Sequence, residues 1–220
     1  SYSPLLEYLY LKNGGLALEP DLVVLHLDLS DFYDDIQYTR LAEFDADGDP
    51  IAVLAEPVPP PRSWPMAMAM RVKDVLKYRT RTDNFFRRRI SMFIYAATNK
   101  RDFSGDIRVD KYAMFREELG PRDDSGWTTT YQYLLKIRDL LAAHDIELWI
   151  SIYPYGPQVS PKEWNTGRQF WGLEPGRQYP GWPQERIEAF VRQNNIRLIN
   201  MTSDFEEAAR TRYPLYYDGD

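Results

Sequence analysis

The chain has no cysteine and only two histidines among its 220 residues. Without cysteine there are no disulfides and no thiolate metal sites, although the compartment stays open. No run is long or apolar enough for a membrane span, and Ser1 does not open a signal peptide. Excess positive charge is lacking as well: the formal net charge is −6, so the electrostatic footprint of a nucleic-acid binder is missing. No internal repeat is visible. What is present, 44% hydrophobic and 27% charged residues, suits one globular domain over residues 1–220 with a core of useful size.

Read for period, the chain alternates helices with short apolar runs. Pro4 to about Lys12 (PLLEYLYLK) reads as a helix closed by Gly14-Gly15, and Leu22 to Leu29 as a strand apolar on both faces apart from His26 and Asp28. Two further units follow this plan: a helix over Thr128 to Ala143 before a strand over Ile146 to Ile152, and a helix over Pro183 to Gln193 before a strand over Ile196 to Asn200. Strands apolar on both faces belong in a parallel sheet covered on both sides, here a doubly wound α/β sheet with the three strands as parallel neighbours in chain order. Ligands in such sheets sit at the carboxyl ends of the strands, which points to Ser30 and Asp31 at the end of the first.

Between these units lies an insertion from about Tyr33 to Gly126. Phe44 to Val53 looks like a β-hairpin with Asp47-Gly48 at its turn, and Pro57 to Pro61 like an extended linker. Asp45, Asp47 and Asp49 lack the glycine and glutamate positions of an EF-hand loop, so calcium is not expected and no metal site is assigned. Met66 to about Ala97 reads as a helix whose Arg79, Arg81, Arg87, Arg88 and Arg89 form either a solvated face or an anion patch. The stretch from Tyr153 to Trp182 has little periodicity and many aromatics. Trp164, Phe170, Trp171, Tyr179 and Trp182 either line a substrate cleft or pack the loop onto the body. His26, inside a strand, reads as a buried polar residue, and His144 as a cation at a helix end.

Four stretches carry a family resemblance. PDLVVLHLDLSDFYDD resembles the third sequence block of the SGNH/GDSL hydrolases, a strand that ends in Gly-x-Asn-Asp. SYSPLLEYLYLKNGG resembles the second block, which often reads Gly-Tyr-Ser-Pro in bacterial members. YPYGPQVS is similar to the loop after the fourth strand in a bacterial subgroup, and LYYDGD to the lead-in of the Asp-x-His or Asp-x-x-His block.

The resemblance implies a flavodoxin-like three-layer α/β/α fold, here with a hairpin-plus-helix insertion, and a cofactor-free serine hydrolase. Such an enzyme is an esterase or a carbohydrate or lipid O-deacylase, and some relatives transfer acyl groups. It implies Asp220, or else Asp218, as the aspartate that orients a histidine, and Ser30 in place of the oxyanion-hole asparagine. Asp31, Ser1, Tyr155 and Gln158 are the further oxyanion or substrate-binding candidates it implies. A plain helix cap is the other reading of Ser30, and a frayed terminus that of Asp220.

No Gly-Asp-Ser block occurs, and Asp102-Phe103-Ser104-Gly105 reads as a loop without a preceding strand. The nucleophile and the catalytic histidine are therefore expected outside these residues, in a complementary N-terminal segment or a second chain and beyond Asp220. The partners expected are a small-molecule or glycan ester, with no nucleic acid and no membrane span. The bacterial resemblance favours an extracytoplasmic location. The non-enzymatic alternative is an inactive scaffold or glycan-binding module.

Overall fold

The computed structural model describes residues 2–54, 125–163, 168 and 173–216. Contacts divide the chain into two compact units, Ser1–Ala55 with Arg108–Asp220 and Glu56–Ile107, and every described residue belongs to the first. The elements in chain order are α1 (Pro4–Asn13), β1 (Leu22–His26), α2 (Asp31–Leu41), β2 (Ala42–Phe44), β3 (Pro50–Val53), α3 (Ser125–Ala142), β4 (Glu147–Ile152), α4 (Gly156–Val159), α5 (Trp182–Gln193), β5 (Arg197–Asn200) and α6 (Thr202–Thr211). The fold is mixed α/β.

β1, β4 and β5 form a parallel sheet in that order, as the sequence leads one to expect. Leu25 lies beside Ile150 and Ile150 beside Leu198, so a single pleat face carries the large aliphatics of all three strands. That face packs on Leu134, Ile137 and Leu141 of α3 and on Ile187 and Val191 of α5, residues three, four or seven apart and hence on one side of each helix. Fully burying one such side chain contributes roughly 1.5–3 kcal/mol, so this layer supplies much of the core energy.

The opposite face is different. Leu22, Val24 and Ile199 on it are exposed, Val24 at 51%, and Arg197 lies over the Trp149 ring with its Nε 2.7 Å from Glu147. Among the described residues β1 has one neighbour, β4, and its other edge is unpaired.

The same local device closes both helices that feed this sheet. Asp145 and Asn195 adopt left-handed backbone conformations, φ 58° and 54°, which these residue types tolerate best after glycine. Each lets the next residue bond back five positions, Ile146 N to Leu141 O at 3.0 Å and Ile196 N to Val191 O at 2.9 Å. The chain reverses there and enters the strand.

The expected hairpin is present as β2 and β3, antiparallel, with Gly48 at φ 78° in its turn. Two of its three acids close and anchor the loop through their carboxylates. Asp45 Oδ1 accepts the N–H groups of Asp47 and Asp49, and Asp49 binds Lys12 and Lys136 at 2.6 and 2.7 Å. Among the described residues no group of acids and histidines is arranged to hold a metal ion. The sequence reading reaches α2 only as the helix or turn that Ser30 would cap, and it does not reach α6: α2 opens on a run of acids, and α6 buries none of its residues. The proline linker, the arginine-bearing helix and the Asp102–Gly105 stretch lie outside the described residues. No described helix is long and apolar enough to cross a membrane.

Candidate functional site

Beyond His26 the chain leaves the sheet, with Leu27 N still bonded to Ser151 O at 2.9 Å, and turns into α2. Asp28 organises that turn. Its Oδ1 accepts the Ser30 N–H at 2.7 Å and the Tyr155 hydroxyl, and its Oδ2 accepts the Tyr153 hydroxyl at 2.8 Å. Burial first, then the nearby Asp28 charge and its hydrogen bond, push the Tyr153 phenol well above its ordinary value, so it stays a donor. Two tyrosines that follow β4 thereby hold the end of β1.

Ser30 sits at the N-cap position of α2, where serine commonly caps. Its backbone is helical, φ −70° and ψ −21°, and its side chain makes no capping hydrogen bond. The helix start is held instead by its carbonyl, which accepts Tyr33 N and Asp34 N at 3.0 Å each. The Ser30 hydroxyl is thus not spent on the helix.

Asp31 turns inward and is 1% exposed. Its Oδ2 accepts the Asp28 N–H at 2.8 Å, while Oδ1 is buried without a hydrogen-bond partner. Burial is the main cause that raises its carboxyl to about 9, the charges of Asp28, Glu7 and Asp35 adding to it against the Asp28 N–H bond. At neutral pH it is a protonated acid bracing the turn.

Deeper still, Asp35 Oδ1 accepts Leu5 N at 3.0 Å, an otherwise unpaired donor of the first turn of α1, and Oδ2 accepts the Thr130 hydroxyl at 2.6 Å. One carboxyl thereby ties α1, α2 and α3 together. Burial raises Asp35 to about 6 despite these bonds, and burial with the Asp35 charge raises Glu7 to about 8.

Tyr155 and Gln158 belong to the loop and short helix after β4. Tyr155 reaches Asp28. Gln158 is buried: its Oε1 accepts Tyr155 N at 2.8 Å, and its amide pairs reciprocally with Gln184 of α5 and donates to Pro180 O. Gln158 thus shapes the loop from within. Of the aromatics further along, Tyr179 is buried in the core and Trp182 packs 5.9 Å from Trp127, so these two fasten the loop to the body; Trp164, Phe170 and Trp171 lie outside the described residues.

The C-terminal segment comes to this same end of the sheet. Tyr216 donates its hydroxyl to Pro154 O at 2.5 Å, and Leu215 N and Tyr216 N bond to the Glu163 carboxyl at 2.8 and 3.4 Å. Ser1, Asp218 and Asp220 lie outside the described residues.

His26 corrects an expectation. It is exposed rather than buried, its Nδ1 lies 2.8 Å from Ser151 Oγ, and its ring stacks on Tyr153 at 4.9 Å. It ends a strand on the face of the sheet that no described helix covers, a fact that no strand period reveals. His144 is exposed just after α3, before β4 begins, at the opposite end of the sheet from Ser30. Asp28, Tyr153 and Glu163 were missed as organising residues. A signal existed for Asp28, a second acid three positions before Asp31 at a strand end, but its two tyrosine partners lie more than a hundred residues away.

The site therefore holds an uncommitted serine hydroxyl at a helix N-terminus, a fixed backbone and flanking acids, at the carboxyl ends of parallel strands. Comparison with family models, curated proteins and solved structures yields no match to this chain.

Proposed function

We propose that this chain belongs to a serine-type ester hydrolase of the SGNH/GDSL kind, an esterase or a carbohydrate or lipid O-deacylase. In this reading the fold is the flavodoxin-like three-layer α/β/α type, and a strand carrying the nucleophile lies along the free edge of β1. A complementary N-terminal segment or a second chain supplies that strand. The exposed Leu22, Val24 and Ile199 receive the third layer, as suits a parallel sheet.

The observation that carries the reading is Ser30. Its hydroxyl makes no capping bond, its N–H is held by Asp28, and it stands at the N-terminus of α2, where partial positive charge favours a developing oxyanion. An orienting aspartate at Asp220, or Asp218, would complete the chemistry: a histidine base takes the nucleophile's proton, the tetrahedral oxyanion is held by preorganised donors, and the acyl-enzyme is hydrolysed.

The test is ester hydrolysis by the intact protein with p-nitrophenyl acetate, together with its Ser30→Asn and Ser30→Ala variants. A longer, rigid amide donor should raise the rate, and alanine should lower it by about tenfold or more. Equal rates for all three forms would refute the oxyanion role. An acyl acceptor other than water turns the same intermediate into acyl transfer, and complete lack of turnover points to a glycan-binding or scaffolding module.

A further inference from the structure

His26 is an exposed ring that is nevertheless held on two sides. It stands level with Ser151 in the pairing of β1 with β4, its Nδ1 lies 2.8 Å from Ser151 Oγ, and its ring stacks on Tyr153 with the two planes 8° apart. Nε2 has no partner among the described residues. Ordering an exposed side chain costs conformational entropy, which here the stack and the hydrogen bond offset. His144 is exposed as well, yet its side chain has neither a hydrogen bond nor a ring partner among the described residues. The hold is particular to His26.

Both groups that hold the ring are themselves fixed. Ser151 is a buried residue of the central strand β4, and the Tyr153 hydroxyl donates to Asp28 Oδ2 at 2.8 Å, while Asp28 Oδ1 accepts the Ser30 N–H at 2.7 Å. His26 and Ser30 therefore share one frame at the carboxyl end of β1, the end where parallel sheets place their chemistry. In a neutral imidazole one nitrogen donates and the other accepts. When Nδ1 gives its proton to Ser151 Oγ, Nε2 is left as the unprotonated atom, since the partner of one ring nitrogen sets the state of the other.

We propose that His26 is the general base of this site, with Ser151 as the positioning residue that sets its tautomer. Nε2 takes the proton of the attacking hydroxyl as that oxygen bonds to the ester carbonyl carbon, and returns it to the leaving alcohol oxygen as the carbon–oxygen bond breaks. A second round with water as the attacking group releases the acid. The reaction rests on the hydrolase reading above, whereas the hold and the tautomer do not. Here Ser151, rather than Asp220 or Asp218, orients the base.

The experiment uses the intact protein and reads two quantities. Nitrogen NMR of isotope-labelled histidine should show the neutral His26 ring, assigned by its loss in His26→Ala, with the proton on Nδ1, and Ser151→Ala should weaken that preference. Hydrolysis of p-nitrophenyl acetate should show kcat lowered about 100-fold or more in His26→Ala, the scale of a positioned base. Added imidazole should restore part of this rate, above its own background, and should restore nothing to Ser30→Ala. A wild-type ring carrying its proton on Nε2 would overturn the base. Unchanged kcat in His26→Ala, or a loss that imidazole does not restore, would overturn the catalytic role. A wild-type protein without turnover would remove the hydrolase reading and the catalytic role with it, while the spectrum still decides the tautomer.

Discussion

At the scale of one residue, Asp28 organises the end of β1. It gathers the Ser30 N–H and two tyrosine hydroxyls onto one carboxylate, so the strand end is held by side chains rather than by sheet pairing. Asp28→Ala removes the acceptor common to all three donors. The expected loss is on the order of 1–3 kcal/mol, read by urea unfolding, with Asp28→Asn losing less because its carbonyl oxygen still accepts. Ser30 variants should cost far less stability than Asp28→Ala, because the Ser30 side chain makes no capping bond.

At the scale of elements, α2 and α3 approach closely at Gly126. A Cβ built on Gly126 would stand 2.7 Å from the Phe32 carbonyl oxygen, backbone that cannot swing aside as a side chain would. Gly126→Ala should therefore push the helices apart at a cost of about 1–3 kcal/mol, against the small gain that alanine brings to an open helix position. Thermal unfolding checks this: a stabilised variant would show that the contact relaxes freely. The separation also sets the bond from Thr130 of α3 to Asp35 of α2, so the same variant should weaken that tie.

Across the molecule, buried acids give stability an unusual dependence on pH. Glu7, Asp31 and Asp35 have folded values raised to about 8, 9 and 6, above the values near 4 expected for unfolded chains. The native state therefore binds more protons than the unfolded state between about pH 4 and 9, and stability falls as pH rises through that window. Asp49 works the other way: burial opposes it, but bonds from Lys12, Lys136 and Tyr8 bring it down to about 2, so its contribution is lost as pH falls from about 4 through 2. The unfolding midpoint should peak near about pH 4 to 5 rather than at neutrality. Replacing Glu7 and Asp31 together by Gln and Asn should flatten the alkaline limb. A wild-type profile that rises steadily to pH 8 would show that these acids ionise freely in the fold.

How much of this was legible beforehand depends on the reach of each interaction. The three strands, the helices before β4 and β5, and the hairpin at Gly48 are written locally, because apolar period and turn residues act within a few positions. The sequence by itself therefore determined that helices and parallel strands alternate, and that Ser30 and Asp31 fall at a strand's end. It could not show which way those residues face. Asp31 and Gln158 point inward because Asp28 and Gln184 meet them there, and His26 is exposed because no described helix covers its side of the sheet. Only the tertiary structure brought Tyr155 to Asp28 across 127 positions and Leu215 to Glu163 across 52. A hydrogen bond is specified by the approach of two groups, and their separation along the chain leaves no periodic trace; the organising residues of this site were decided by packing.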